Sequence, residues 1–489
     1  MTGRKVLLRL ILISGVFCVI PIWQTRLPVR AFAQAGCPTT PVVTIDSPQV
    51  PPDVCIPDGF GGNPIQYFDD YSWRTFIAMT WPALVGQRGL PDPAKHSGDI
   101  SSPLVFETYK NDWEVFLPSG AAPSKWDEFT GPNPCGVSIG SSDMILASFT
   151  KFGNLGEAGP NQKTPLVHAL PSQNGKWVRY LTGFNQVEYT QIVNGHLYLL
   201  SSLTSAGSVT FQNGSIDVKS AWMDMSGIAD AQRSRYYMRS ALVVDPSDPT
   251  KPCTAITVGL VGLHIVQKTP SRPQWIWSTF EQVDNVPSPG NSAGPFAFNN
   301  RKGDVSPITI FPQQDPNGGF PPNSWAKPVP YNVVRVNGKQ INSSTQATNV
   351  KYQQAIAGAL KGSPLQFYQL VMTQWPLQLN APNPIPASQD GTPQNTFPGL
   401  NPPTTSSFSN TTLETWDQTT VFTGCMACHN NTKSGTDFLW TLEINAFDDT
   451  KPANSLMALR AAKTVRAPRS DAERRLMELL KSTAMTERK

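Results

Sequence analysis

The residues best suited to chemistry form the short stretch Cys425-Met426-Ala427-Cys428-His429, which reads C-x-x-C-H. This spacing is the attachment signature of a c-type haem. Two thiols separated by two residues can add to the two vinyl groups of one porphyrin, and the histidine that follows can bind the iron. We therefore predict a covalent haem c on Cys425 and Cys428, with His429 as an axial iron ligand.

Other uses of this cysteine pair fit the sequence less well. A zinc site needs a second ligand pair at a similar spacing, and the sequence contains none. A thioredoxin-like site places C-x-x-C near a βαβ pattern, whereas this pair follows a loop rich in Pro, Thr and Ser near the C-terminus. An ordinary disulfide or dithiol of Cys425 and Cys428 is the non-haem alternative.

The sixth iron position decides what such a haem does. His264 lies in the apolar, glycine-punctuated run Val261–Val266, where a polar side chain in the core needs a partner. Iron would satisfy it, and so would a carboxylate such as Glu281. His264 is therefore a candidate second iron ligand or distal acid–base group, and a structural role in the core is the alternative that stays open. Three methionines downstream of the haem motif lie in less persuasive settings, namely Met457, Met477 and Met485.

The N-terminus is typical of a secretory signal. Basic residues precede an apolar run from Leu10 to Ile20 that is too short to span a bilayer, and small residues between Ala31 and Ala35 would permit cleavage. We predict a signal peptide over residues 1–35 and a periplasmic or otherwise extracytoplasmic protein. Membrane anchoring by an uncleaved signal is the alternative.

The remaining cysteines fit an oxidising compartment. Cys18 lies in the signal and two cysteines are assigned to the haem, which leaves an even number for disulfides: Cys37, Cys55, Cys135 and Cys253. Three pairings are open. We favour Cys37–Cys55 and Cys135–Cys253, because the first pair brackets a Pro-rich loop.

Composition sets the fold class and excludes one class of partner. The net charge of the 489 residues is only +4, without the basic stripe that nucleic-acid binding needs. The 46 prolines and 36 glycines indicate a loop-rich fold, and the 13 tryptophans supply a core. We predict an α+β, β-rich fold with peripheral helices. Its predicted parts are a β-rich domain over 36–380, a Pro/Ser/Thr-rich linker over 381–412 and a haem c-binding segment over 413–489.

Periodicity predicts the elements that must position these residues. Helical spacing covers Gln66–Trp81, Val105–Phe116 and Thr348–Leu360, and a capping box at Ser470–Glu473 predicts a last helix. β-Prone runs cover Tyr236–Val244, Ala255–Val266 and Leu365–Gln374. Asn-Gly pairs between β-prone runs predict hairpins at 194–195, 213–214 and 337–338.

Several segments resemble large exported bacterial proteins of the cytochrome c family. The segments that carry the resemblance are Cys425–His429, Gly262–Ile265, Trp275–Glu281, Tyr71–Phe76 and Trp81-Pro82. The resemblance covers most of the mature chain, and the haem motif is its specific part. It implies export and a covalent haem with Cys425, Cys428 and His429 as the haem-binding residues, and it implies no catalytic residue.

A single haem leaves more than one function open. The leading hypothesis is an exported cytochrome that passes single electrons to a periplasmic redox partner of unknown identity. The long N-terminal part exceeds what shielding a porphyrin requires, so it is also expected to bind a partner or a small-molecule substrate. The alternatives are a haem enzyme, oxidase- or peroxidase-like, with His264 as distal residue, and a gas- or redox-sensing module.

Overall fold

The computed structural model describes residues 36–149, 170–245, 251–302, 328, 330, 332–333, 341–375, 410–413, 425, 429, 432 and 435–450. The chain divides into two units, Met1–Cys37 and Pro38–Lys489, and all elements below belong to the second. The predicted signal peptide, the hairpin at 337–338, the last helix and most of the predicted linker lie outside the described residues.

A mixed eight-stranded sheet is the centre of the described structure. Its strands are β1 (Lys110–Asn111), β2 (Ile145–Leu146), β3 (Arg179–Phe184), β4 (Ile216–Asp224), β5 (Met238–Val243), β6 (Thr254–Thr269), β7 (Arg272–Gln282) and β8 (Tyr368–Gln374). The helices are α1 (Ile65–Met79), α2 (Asp112–Val115), α3 (Gln186–Asn194), α4 (Leu200–Ala206), α5 (Asp230–Arg233), α6 (Ser343–Ala359) and α7 (Trp440–Asn445). The predicted β-rich α+β class is confirmed.

Strand β6 is the central strand of the sheet, as its apolar sequence predicts. It pairs antiparallel with β4, with β5 through its first residues and with β7 through its later ones. Strand β8 extends the sheet beyond β7. The run from Val258 to Leu263 is fully buried, which agrees with the near-continuous hydrophobicity of a strand covered on both faces.

Helices α1 and α6 cover one face of the sheet. The Trp73 and Phe76 rings of α1 lie 5.1 and 4.5 Å from the ring of Phe280 on β7. Trp73 also stacks on Tyr352 of α6 at 5.1 Å. These contacts explain the aromatic spacing of α1, which the sequence predicted correctly, as it did α6, β5, β6 and β8.

The predicted helix over Val105–Phe116 is wrong. The structure has a 3₁₀ turn at Val105–Thr108, the short strand β1 and then α2. The Glu107 carboxylate accepts from the Leu104 N–H at 2.9 Å, and Glu114 accepts from the Asn111 N–H at 2.9 Å. Each glutamate accepts from the backbone N–H at the start of its own turn. Because these N–H groups bond to side chains and not to carbonyls of a preceding turn, two separate short turns form where a continuous helix was predicted.

The two predicted hairpins that the structure describes are also wrong. Asn194 ends the helix α3, and Gly195 is its C-cap. The helix starts upstream, where the Asn185 side chain caps the first turn by accepting from the Glu188 N–H. At 213–214 the Asn-Gly pair does form a turn, but only β4 follows it. The residues before this turn form a loop that buries Val209 and Phe211.

The disulfide Cys135–Cys253 is present, which confirms that predicted pair. Cys37 and Cys55 are disulfide-bonded as well. Disulfides of this kind indicate an oxidising, extracytoplasmic compartment. Within the described part of the chain, no helix combines the length and apolarity that a membrane crossing requires.

Candidate functional site

The candidate site lies on the face of the sheet opposite α1 and α6. His264 on β6 pairs with Lys219 on β4 and with Thr279 on β7, and Val266 pairs with Trp277. Directly paired residues share a face, and side chains alternate along a strand. Lys219, His264, Val266, Trp277 and Thr279 therefore point to the same side, which we name the His264 face.

His429 lies against this face. Its imidazole ring is 4.4 Å from the Trp277 ring, centroid to centroid. Its Nδ1 atom is 2.8 Å from the backbone oxygen of Phe438, which can only accept a hydrogen bond, so Nδ1 carries the proton. The other nitrogen, Nε2, is then the atom of neutral His429 that can bind a metal.

The structure places the other predicted site residues as follows. Cys425 is half-buried and packs against the main hydrophobic core. Cys428, like Met457, Met477 and Met485, lies outside the described residues. His264 is half-buried on the His264 face, two strand positions from Val266, the pairing partner of Trp277. The structure therefore brings His264, Trp277 and His429 to one side of the sheet.

Glu281, the other partner considered for His264, binds Thr411 and Gln369 through its carboxylate. Its carboxylate accepts from the Thr411 N–H and hydroxyl at 3.1 and 2.8 Å, and from the Gln369 amide at 3.1 Å. Asn410 donates to the Thr279 hydroxyl at 3.1 Å. Residues 410–412, the end of the predicted linker, are at most 1% exposed and form part of the covering of this face.

Residues 435–450 cover the rest of the described site. Thr441 on α7 donates to the Asp217 carboxylate of β4 at 3.4 Å, and the Phe447 N–H donates to the Tyr198 carbonyl at 2.8 Å. Gly435 has φ 123°, and a Cβ there would collide with the Gly207 carbonyl. A glycine is therefore required where this segment meets the loop after α4.

Buried carboxyls give this side of the sheet a pH-dependent charge. Burial raises the pKa of both Asp112 and Asp217 to about 6, although the Lys219 ammonium opposes the shift at each. Burial and the neighbouring carboxylates of Asp217 and Asp437 raise the pKa of Glu188 well above its usual value. Desolvation of the charged form is the dominant cause in each case.

The sequence did not reveal the Phe438 carbonyl. Nor did it reveal the ion pair of 2.6 Å between Lys268 and Asp437, the residue that precedes Phe438. A backbone acceptor has no residue type to recognise. The positions of the ion pair are 169 residues apart, so no local spacing connects them. The aromatic stretch Trp275–Glu281 was the available signal, and it does supply Trp277.

Comparison with known proteins finds no matching family model, curated protein or solved structure. Among the residues that the structure describes, no group of three or more His, Cys, Asp or Glu side chains is placed to hold a metal ion.

Proposed function

We propose that this chain is an exported c-type cytochrome. In this proposal it carries one haem on Cys425 and Cys428, with His429 as an axial ligand, and transfers single electrons in the periplasm. The observation that supports it is the hydrogen bond from His429 Nδ1 to the Phe438 carbonyl. A metal-binding histidine typically donates a hydrogen bond from its other ring N–H in this way, which fixes the tautomer and the ring orientation.

The residues present fit a haem. With the proton on Nδ1, Nε2 is the ring nitrogen that has the lone pair a metal needs. Cys425 precedes His429 by the spacing that the motif requires, and Trp277 offers an apolar wall beside the imidazole. The iron, when bound, would supply reversible one-electron chemistry. The chain would bind and orient the porphyrin through the thiols and the imidazole, and its aromatic side chains would exclude water.

His264 is the proposed second axial ligand. Its place on the face that His429 covers supports this assignment. If the sixth position is open instead, His264 becomes the distal residue of a haem enzyme. The family resemblance, the signal peptide and a periplasmic redox partner belong to the same proposal.

An optical spectrum of the exported protein tests the proposal. We expect reduced c-type haem bands that carbon monoxide does not shift, because two histidines close the coordination. In His264→Ala, carbon monoxide should bind and shift the bands. His196→Ala is the matched control, since His196 is exposed.

The other outcomes are distinct. A spectrum without c-type haem overturns the proposed function. A wild-type haem that binds carbon monoxide indicates an open or labile sixth position and favours the haem-enzyme or gas-binding alternative.

A further inference from the structure

The acceptor of the His429 hydrogen bond lies in an unusual backbone turn. Asp437 and Phe438 are consecutive residues with φ values of 52° and 69°, and neither is glycine. Trp275, which contacts this turn, has φ 72°. These are three of the five non-glycine residues with positive φ in the described part of the chain. Such strain persists only where the surrounding contacts enforce it, and it concentrates at functional sites.

Three segments of the protein enforce the turn through Asp437. The Lys268 ammonium donates to Asp437 Oδ2 at 2.6 Å, and the Phe211 N–H donates to the same oxygen at 2.8 Å. The Trp275 indole N–H donates to the Asp437 carbonyl at 3.0 Å. Asp437 is thus fixed at both its side chain and its backbone, and its neighbour Phe438 presents its carbonyl to His429 at 2.8 Å.

Lys268 is itself held in one position. Its ammonium also donates to the Pro273 carbonyl at 2.6 Å and lies 5.5 Å from the centre of the Trp275 ring. The Lys268 and Asp437 side chains are 4% and 7% exposed. A buried ion pair is weak evidence for stability, because apolar side chains of the same volume often stabilise a core equally well. Its geometry therefore points to a positional role.

We propose that the Lys268–Asp437 ion pair is a positioning device that holds the Phe438 carbonyl against His429 Nδ1 and so sets the electron donation of the axial imidazole. The inference rests on the proposed haem function. A carbonyl held at Nδ1 increases the basicity of the ligand, and hydrogen bonding of this kind is one of the levers on haem potential. Losing it should favour the ferrous state and raise the midpoint potential.

The test compares two buried ion pairs in the holoprotein. The double variant Lys268→Met/Asp437→Asn removes the site pair without changing the net charge, and Asn tolerates the left-handed backbone. The matched control is Arg88→Met/Glu114→Gln, because that pair has the same N–O distance of 2.6 Å and side chains 4% and 6% exposed. The readouts are the midpoint potential and the exchange rate of the His429 Nδ1 proton by NMR.

We expect the site variant to exchange this proton about tenfold faster, the factor that corresponds to one neutral hydrogen bond, and to have a higher midpoint potential. The control should match the wild type in both. Wild-type exchange and potential in the site variant would overturn the inference. Absence of c-type haem from the wild type would instead overturn the proposed function.

A second variant covers the case in which the double variant does not fold. Trp275→Phe removes only the indole donor to the Asp437 carbonyl and leaves every charge in place. It should also accelerate Nδ1 exchange. If the double variant yields no holoprotein and Trp275→Phe exchanges like the wild type, the inference fails.

Discussion

Asp69 lies on the buried side of α1, where its carboxylate accepts from the hydroxyls of Thr345 and Thr373 at 2.7 and 3.1 Å. Desolvation outweighs these bonds and raises its pKa to about 7. The folded protein therefore binds this proton more tightly than the unfolded chain. The contribution to stability is complete below the usual aspartate pKa of 3.8 and is lost as the pH rises to about 7.

We predict that the free energy of unfolding falls with rising pH over this window, by up to about 1.4 kcal/mol per pH unit for this one group. Asp112 and Asp217 act in the same direction. The variant Asp69→Asn should have a shallower slope in urea titrations between about pH 4 and 7, the window between the two pKa values. The exposed Asp46→Asn is the control for the substitution itself. An unchanged slope in Asp69→Asn would contradict the prediction.

Single residues also show how far the sequence predicted the candidate site. The thiols and His429 are recognisable because haem attachment fixes both residue types and their spacing. His264 is recognisable as a polar residue in an apolar strand, and the structure places it on the face that His429 covers. Lys268 carries no such signal, because a lysine near the end of a strand is typical of solvated surface.

At the scale of elements, the same dipeptide has two outcomes. Asn194-Gly195 ends a helix and Asn213-Gly214 forms a turn before a strand. The difference arises upstream, where Asn185 caps the first turn of α3. The spacing of apolar residues predicted α1, α6 and β6 correctly, because burial on one face or on both faces of these elements determines which positions are apolar. It failed where side-chain caps divide a short segment, as between Val105 and Phe116.

Strand β6 has a glycine at position 262 because another segment of the chain packs directly against its backbone there. A Cβ at this position would collide with the Thr412 hydroxyl and would lie 3.1 Å from Asn410 Oδ1. The strand needs a glycine there because the segment 410–413 packs directly on its backbone. Any side chain would force this segment away from the sheet.

We predict that Gly262→Ala destabilises the protein by about 1–3 kcal/mol, the range for overpacking a filled core. Gly358→Ala is the matched control, because Gly358 lies in α6 and a methyl group added there would meet no atom within 4 Å. That substitution should stabilise by about 0.5–1 kcal/mol, since alanine is the better helix former. Denaturant midpoints of the two variants should move in opposite directions. Equal shifts would contradict this account of Gly262.

At the scale of the whole molecule, the described parts form three layers with the sheet in the middle. Helices α1 and α6 cover one face, and residues from 410 to 450 that the structure describes cover the other. The order of the strands follows from long-range pairing, such as β4 with β6 and β6 with β7. Local periodicity contains no information on such pairing, so the sequence predicted the class of the fold and left its strand order open.

The disulfide Cys135–Cys253 connects two distant parts of this arrangement across 118 residues of chain. It joins the loop before β2 to the residue that precedes β6. A cross-link of this span stabilises mainly by restricting the unfolded chain, and removing one typically costs about 2–5 kcal/mol. We predict a loss in this range for Cys135→Ser/Cys253→Ser, measured by urea unfolding. The wild type in a thiol reductant should lose at least as much, because Cys37 and Cys55 are also disulfide-bonded. If the variant unfolds at the wild-type urea concentration, the cross-link adds nothing to stability, and the cysteines report only the compartment in which the protein folds.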